Sequence, residues 1–398
     1  MKQVLVLEPS LVENAGHHHT QIAALSSLLP QADFCVLAGF SYSGFLGLDF
    51  TKLDEEAIRT RRLQMRVRFE QGLKSKVSAI RLLPRRVRGL LQASAYGSSL
   101  IEYCQQKRIS RNDAVIVPSA DLDSLESVAE LVVALGDCCP RICLRFLTPD
   151  LGVHRDDVRV ARIRSISQSV LDRMYLFTET EELARYLQRT YGLAATGGFY
   201  LPCSITKQIK PKARSSDFLR VGVFGAPKRR KGSYRIKSIV EKAGELLKFG
   251  ADVKLDFVIQ GSDSDFAPGG VYSALDSIGG INIRVTRQSD KLSPTQFQQL
   301  FFSVDSVLLP YDVSSYGLQG SGVVQDAVNA FKPIICSAGM SMEDLLSHGN
   351  ARLVDNDENF AKAIIEIAAN MPAFNDGAIQ AASHYKRHME AHPLFAVL

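Results

Sequence analysis

The feature that most limits how this chain can fold is an alternation, sustained almost throughout, of short β-rich apolar runs with longer stretches of helical spacing. Residues 4–7, 34–37, 114–117, 142–146 and 174–177 form one set of such runs. Between the first two, Ile22, Ala23, Leu25, Leu28 and Leu29 recur at helical spacing. A second set follows at 219–224, 254–260, 281–285, 306–309 and 333–336. Strands separated by helices cannot pair as hairpins, so the pattern predicts α/β layering with parallel sheets. Thr180, followed by Glu181 and Glu182, predicts a capped helix start with acids at the positive end of the dipole.

Residues 204–218 interrupt this rhythm. They are polar, Pro-bearing and nearly devoid of apolar side chains, which predicts an inter-domain linker. The domain reading is therefore 1–203, a linker at 204–218, a second domain at 219–375, and a tail at 376–398 whose helical pattern returns to the first domain. At 398 residues each domain is large enough for its own core. With 46% hydrophobic and 22% charged residues, the chain is not disordered, collagen-like or low in complexity. It has no apolar run of about 18 residues, as a transmembrane helix would need, and its first residues lack the pattern of a signal peptide. The seven cysteines are scattered among apolar neighbours without paired metal spacing, as expected of reduced thiols that pack as small apolar residues. These features together predict a cytoplasmic protein.

Two loops carry the chemistry. In the first, residues 221–224 run into Gly225-Ala226-Pro227-Lys228-Arg229-Arg230-Lys231-Gly232-Ser233. Gly225 lets the chain turn tightly off its strand, and four consecutive cations can neutralise a diphosphate through charge-assisted hydrogen bonds. In the second, the run ending at Leu309 leads through Pro310 and Tyr311 to Gln319-Gly320-Ser321-Gly322-Val323 and a helix. A glycine-bearing helix start exposes free N–H groups to an anion. Either loop alone reads better as a solvated basic turn or an ordinary capped helix. Together, after strands of one sheet, they fit the rule that α/β sheets bind ligands beyond the carboxyl ends of their strands.

In these residues the second half resembles the donor domain of GT-B glycosyltransferases, especially the retaining family 4 type. The resemblance rests on Phe224-Gly225 through Lys231-Gly232, on Tyr311, Ser321-Gly322, Ala327 and Lys332-Pro333, and on Phe177 through Leu183 with Tyr200-Leu201-Pro202. It covers most of residues 170–345, and less fully residues 1–50. It implies two Rossmann-like domains facing a central cleft. The implied reaction moves a sugar from a UDP- or GDP-linked donor to a glycan or lipid-linked acceptor, in polysaccharide or glycoconjugate synthesis. Retention of configuration and no metal or other cofactor are also implied.

Residue by residue, the resemblance implies Lys231 on the diphosphate, with Arg229 and Arg230 assisting and Gly225 giving access. Ser321, Gly322 and Val323 would bind the same group through N–H donors. Gly261 would border the nucleotide, a loop at Thr286-Arg287 would lie near the base, and Tyr311 and Asp326 would line the nucleotide-sugar site. The family's paired glutamates fall here on Ser314 and Asp326, and the usual arginine after the strand-end glycine is Ala226. A nucleotide-sugar epimerase or a non-catalytic binding relative is the alternative.

In the first half, Asn14-Ala15-Gly16-His17-His18-His19-Thr20 follows strand one. In enzymes of similar pattern a glycine here faces the donor phosphate, so Gly16 takes that place. His17 and His18 become acceptor-side candidates, and His18 a catalytic one. A plain polar helix start is the other reading. Metal binding is disfavoured because adjacent histidines diverge on a helix and no carboxylate or Cys accompanies them. Arg145, ending a strand before Thr148 and Asp150, is either a cleft residue or part of a surface salt bridge.

Residues 57–90 hold eleven Lys or Arg against one acid, Glu70, interleaved with Leu, Val, Ile, Met and Phe. Such a basic amphipathic stretch suits an anionic lipid surface on the inner face of a membrane. It also reads as a solvated face or, least favoured, an arm on nucleic acid.

Overall fold

The computed structural model describes residues 2–13, 16–44, 47–54, 94–201, 204, 205, 208, 217–250 and 252–398. The basic segment 57–90 and most of the linker lie outside the described residues. The chain divides into two units: residues 1–201 with 392–398, and residues 202–391.

The first unit is built on a six-stranded parallel sheet. Its strands are β1 (Lys2–Glu8), β2 (Ala32–Ala38), β3 (Asp49–Lys52), β4 (Ala114–Ala120), β5 (Arg141–Phe146) and β6 (Met174–Thr178), in the spatial order β3-β2-β1-β4-β5-β6. Val4, Leu5, Val6 and Leu7 are all buried, as a strand covered on both faces requires. The helix Glu181–Tyr191 starts as its sequence predicts: the Leu183 N–H donates to the Thr180 hydroxyl at 3.1 Å, with Glu181 and Glu182 in the first turn.

The second unit repeats the plan with β7 (Phe218–Val223), β8 (Lys254–Gly261), β9 (Ile283–Ser289), β10 (Ser306–Leu309), β11 (Ile334–Ser337) and β12 (Ala351–Val354), ordered β12-β11-β10-β7-β8-β9. Counted from each unit's own first strand, the two orders are the same. Both sheets reverse direction between first and fourth strands: β1 and β4 in one unit, β7 and β10 in the other. On one face of the second sheet the helices Ile236–Lys248 and Asp357–Ala369 bury Ile239, Val240, Ala243, Phe360, Ile364 and Ile367 against Leu219, Leu255 and Phe257.

The tail differs from its sequence reading. The helix Met371–Glu390 belongs to the second unit, and only the last seven residues join the first. Phe374 enters the second core, and Gly377 lies so close to the Gly349 backbone that a Cβ would come within 2.4 Å of the Gly349 carbonyl carbon. Beyond it, His392 stacks on Phe199 at 5.1 Å, and Arg141 donates to the Val397 carbonyl at 2.7 Å. No helix among the described residues is long and apolar enough to cross a membrane.

Candidate functional site

In the second unit the site forms where β7 and β10, hydrogen-bonded neighbours, release their chains. After β7, Phe224 stacks on Phe301 at 4.5 Å and the chain turns at Gly225, whose φ is +83°. The Gly225 N–H donates to Gln260 Oε1 at 2.7 Å, and Gln260 Nε2 donates to the Ser289 carbonyl at 3.1 Å. One buried amide thus ties the ends of β7, β8 and β9 together. The chain then makes a turn of 3₁₀ helix, Arg229–Lys231, closed by a left-handed Gly232.

That turn brings Lys231 back over Gly225. A Cβ on Gly225 would stand 2.5 Å from Lys231 Nζ, so only glycine leaves the ammonium its place. Burial, and then the like charges of Lys228 and Arg230, lower the Lys231 pKa to about 8. A half-buried ammonium beside other cations is a receptor for a dense anion.

The loop after β10 meets this turn backbone to backbone. A Cβ on Gly232 would lie 1.8 Å from the Pro310 carbonyl oxygen, and the Asp312 N–H donates to the Arg230 carbonyl at 2.9 Å. Tyr311 is buried against Tyr316 at 4.4 Å, and burial raises its phenol pKa well above the usual value. Ser314, exposed on the short turn Val313–Tyr316, donates its N–H to Asp312 Oδ1 at 2.9 Å. Ser341 then holds the following loop, donating its N–H to the Tyr316 carbonyl at 2.9 Å and its hydroxyl to that of Gln319 at 2.7 Å.

The helix Gly322–Asn329 opens from this loop, with Gly322 and Val323 half-buried. As at any α-helix start, the N–H groups of Gly322 and Val323 have no partner within the helix itself. The Ser321 N–H, predicted to join them, instead donates to the buried sulfur of Met342 at 3.2 Å. Met342 takes a left-handed φ of +70°, uncommon for a bulky residue, to bring its sulfur there. The structure therefore brings Gly225, Arg230 and Lys231 together with the Pro310–Asp312 loop, from which the chain runs on to Ser321, Gly322 and Val323.

Other predicted residues stand elsewhere. Asp326 points inward from its helix, 2% exposed, and its Oδ1 accepts the N–H groups of Ser204 and Ile205, each at 2.8 Å. Burial raises its pKa to about 6. Its role here is to anchor the incoming chain. Thr286 and Arg287 lie within β9, because the β8–β9 pairing runs on to Gly261 and Ser289. The Thr286 hydroxyl donates to Asp256 Oδ1 at 2.7 Å, and Arg287 covers the Phe266 ring at 4.7 Å. Gly261 is buried against the rings of Phe266 and Tyr272, where a Cβ would meet ring carbons at 3.1–3.3 Å, a tight contact.

In the first unit the matching position, beyond β1 and β4, holds a different chemistry. Glu8 ends β1 almost wholly buried; its Oε1 accepts the Ser10 N–H at 3.2 Å, and its Oε2 is buried without a partner among the described residues. His18, on the helix Gly16–Leu28, places Nδ1 3.5 Å from Glu8 Oε1 and 3.3 Å from the Ser119 hydroxyl at the end of β4. His18 remains partly exposed. Gly16 is exposed, with φ +84° and open space where a side chain would be. Burial lowers the pKa of His19. Asn14, Ala15 and the His17 side chain lie outside the described residues.

Arg145 is in neither of its expected places. It is fully buried, donating from Nε to the Phe199 carbonyl at 2.6 Å, from Nη1 to the Pro118 carbonyl at 3.2 Å and from Nη2 to Glu179 Oε1 at 2.8 Å. Its acceptors lie on β4 (Pro118), just after β6 (Glu179) and in the segment after the helix Glu181–Tyr191 (Phe199), so the guanidinium braces that end of the sheet. Glu8, Ser119, Gln260 and Met342 were not singled out in the sequence. Only Glu8 carried a signal, an acid closing an otherwise apolar strand.

No family model and no curated protein matches the sequence. Solved structures do. HepE of Anabaena, in complex with UDP and glucose, aligns over 100% of both chains with a TM-score of 0.58 at 12% identity. MnaA of S. aureus, solved with UDP, aligns over 100% of this chain and 98% of its own, at 0.51 and 12%. A variant of TarM from S. aureus, in complex with fondaparinux, alpha-GlcNAc-glycerol and UDP, aligns over 100% and 98%, at 0.58 and 11%. At such identities the likeness is one of fold, and that fold is GT-B.

Proposed function

We propose that this chain is a glycosyltransferase that takes a sugar from a nucleoside diphosphate donor, UDP- or GDP-linked, and passes it to a glycan or lipid-linked acceptor. The observation that carries the reading is Lys231, seated over Gly225 at the carboxyl end of β7, on a turn in backbone contact with the loop from β10. Departure of a nucleoside diphosphate builds negative charge on the β-phosphate as the sugar C1–O bond breaks. A fixed ammonium, the Arg229-Arg230 pair and the free N–H groups of Gly322 and Val323 meet that charge without reorganising. The residues are thus sufficient to neutralise the leaving group without a divalent metal. Solved structures of the same fold with UDP bound support the donor class.

In the first unit His18, oriented by Glu8, contacts the acceptor hydroxyl. We read the transfer as retaining, with the departing phosphate oxygen taking the acceptor proton. The protein then works in the cytoplasm, on polysaccharide or glycoconjugate synthesis, with residues 57–90 against an anionic membrane face. Calorimetric titration of the full chain with UDP and with GDP tests the donor site; the expected result is one site for one of them, and no binding of either overturns the reading. The anomeric configuration of the product, read by NMR, tests retention.

A second reading, nucleotide-sugar binding without transfer, is favoured by Ser314 and by the engagement of Asp326 with Ser204 and Ile205. Release of free sugar from the bound donor over a long incubation would argue against it.

A further inference from the structure

The helix Met371–Glu390 carries His384 and His388 one turn apart, a spacing that puts both rings on one face. That face passes the short turn Glu343–Leu346, and with Asp344 the two imidazoles form a cluster. One ligand-type atom from each of the three residues lies within 4.8 Å of the others, and all three side chains are half-buried. The His384 Nε2 is buried and has no hydrogen-bond partner among the described residues. We propose that Asp344, His384 and His388 bind a single divalent zinc ion, with water completing the coordination.

The surroundings form a built platform. His348 Nε2 lies 2.9 Å from the Asp344 carbonyl; a carbonyl only accepts, so that nitrogen carries the proton and fixes the ring beside His384 at 4.7 Å. Asn350 braces the same turn, donating to the Leu345 carbonyl at 2.9 Å and accepting the His348 N–H at 3.2 Å. The close approach of Gly377 to Gly349 sets the helix against this turn two turns before His384. Two imidazoles and one carboxylate form a donor set that zinc takes readily. At about 2.0–2.1 Å from each ligand atom, a bound ion would draw the three atoms to about 3.4 Å apart. The half-buried side chains can make that adjustment by rotation. The ion would clamp the long helix to the turn that follows Met342, and so to the residue that holds the Ser321 N–H.

The full chain, stripped with chelator and dialysed, is titrated with zinc chloride by calorimetry and, separately, with cobalt chloride while visible absorption is recorded. The expected result is one ion per chain and the intense absorption of tetrahedral cobalt. Zinc at 100-fold over its Kd should raise the melting temperature by about 5 °C or more. The double variant His384→Gln, His388→Gln should lose at least about 100-fold in affinity, and Asp344→Asn about 10-fold. Should the double variant fail to fold, His388→Cys, changed at a half-buried position, should retain the ion and add a sulfur-to-cobalt charge-transfer band. Absence of stoichiometric zinc binding overturns the proposal. So does binding left intact in the double variant, which would put the ion elsewhere, and so does a cobalt spectrum of His388→Cys without the sulfur band.

Discussion

The two sheets of this molecule share one strand order and each reverses at the same place, yet the two reversal points carry opposite chemistry. Beyond β7 and β10 stand Lys231, Arg229, Arg230 and open amide donors. Beyond β1 and β4 stand a buried carboxylate, an imidazole and a hydroxyl. Topology decides where a ligand can sit, because side chains and helix starts converge where neighbouring connections part to opposite faces. The loop residues decide what that ligand is. On the function proposed above, one point holds an anion and the other orients a polar group.

The largest effect tests whether a position at a strand's carboxyl end is enough to make a residue functional. Glu179→Ala leaves Arg145 buried and charged without its carboxylate, which should cost about 3–5 kcal/mol of stability by denaturant unfolding. UDP affinity of the folded fraction should stay unchanged. A tenfold loss of affinity at unchanged stability would restore Arg145 to the site.

Next comes the contrast between the two reversal points. Lys231→Ala removes a charge-assisted contact worth about 1.5–3 kcal/mol, or roughly 10- to 150-fold in UDP Kd. Glu8→Gln should leave that Kd within about twofold. Equal losses in both would show that the division of roles is wrong.

The pH dependence sharpens the same point. The pKa of Lys231 is lowered to about 8, so the free protein loses this charge as the pH rises through that value. A diphosphate binds best to the protonated form. Affinity should therefore hold below pH 8 and fall above it, by up to about tenfold per unit, towards the Lys231→Ala value, with proton uptake on binding, and in Lys231→Ala the fall should vanish. A flat profile in the wild-type protein would remove Lys231 from the diphosphate. The smallest effect belongs to Glu8→Gln in transfer assays. Its kcat should fall about three- to tenfold, because His18 loses the carboxylate that orients it.

The alternation of β-rich runs and helical spacing was enough to read ten of the twelve strands. The two missed, Asp49–Lys52 and Ala351–Val354, are four-residue edge strands with polar or half-exposed members, so they lack the continuous apolar signal of a covered strand. The basic turn at 228–231 and the helix start at Gly322 were legible because glycines and consecutive cations are local features. Asp326 and Thr286 misled for the opposite reason. Whether a carboxylate meets a ligand or a backbone N–H depends on a partner 122 residues away, which spacing within a motif does not reveal. The pair His384 and His388 is also local, but it became informative only when Asp344 arrived from another turn of the chain.

The contact of Gly232 with the Pro310 carbonyl has a consequence for how a ligand is received. Two peptide planes in van der Waals contact, with an Asp312-to-Arg230 hydrogen bond beside them, leave neither loop free to shift alone. The ammonium is therefore in position before any guest arrives, and the ordering entropy is spent once, during folding, rather than at each encounter. Recognition at this spot is closer to insertion into a rigid socket than to a hand closing.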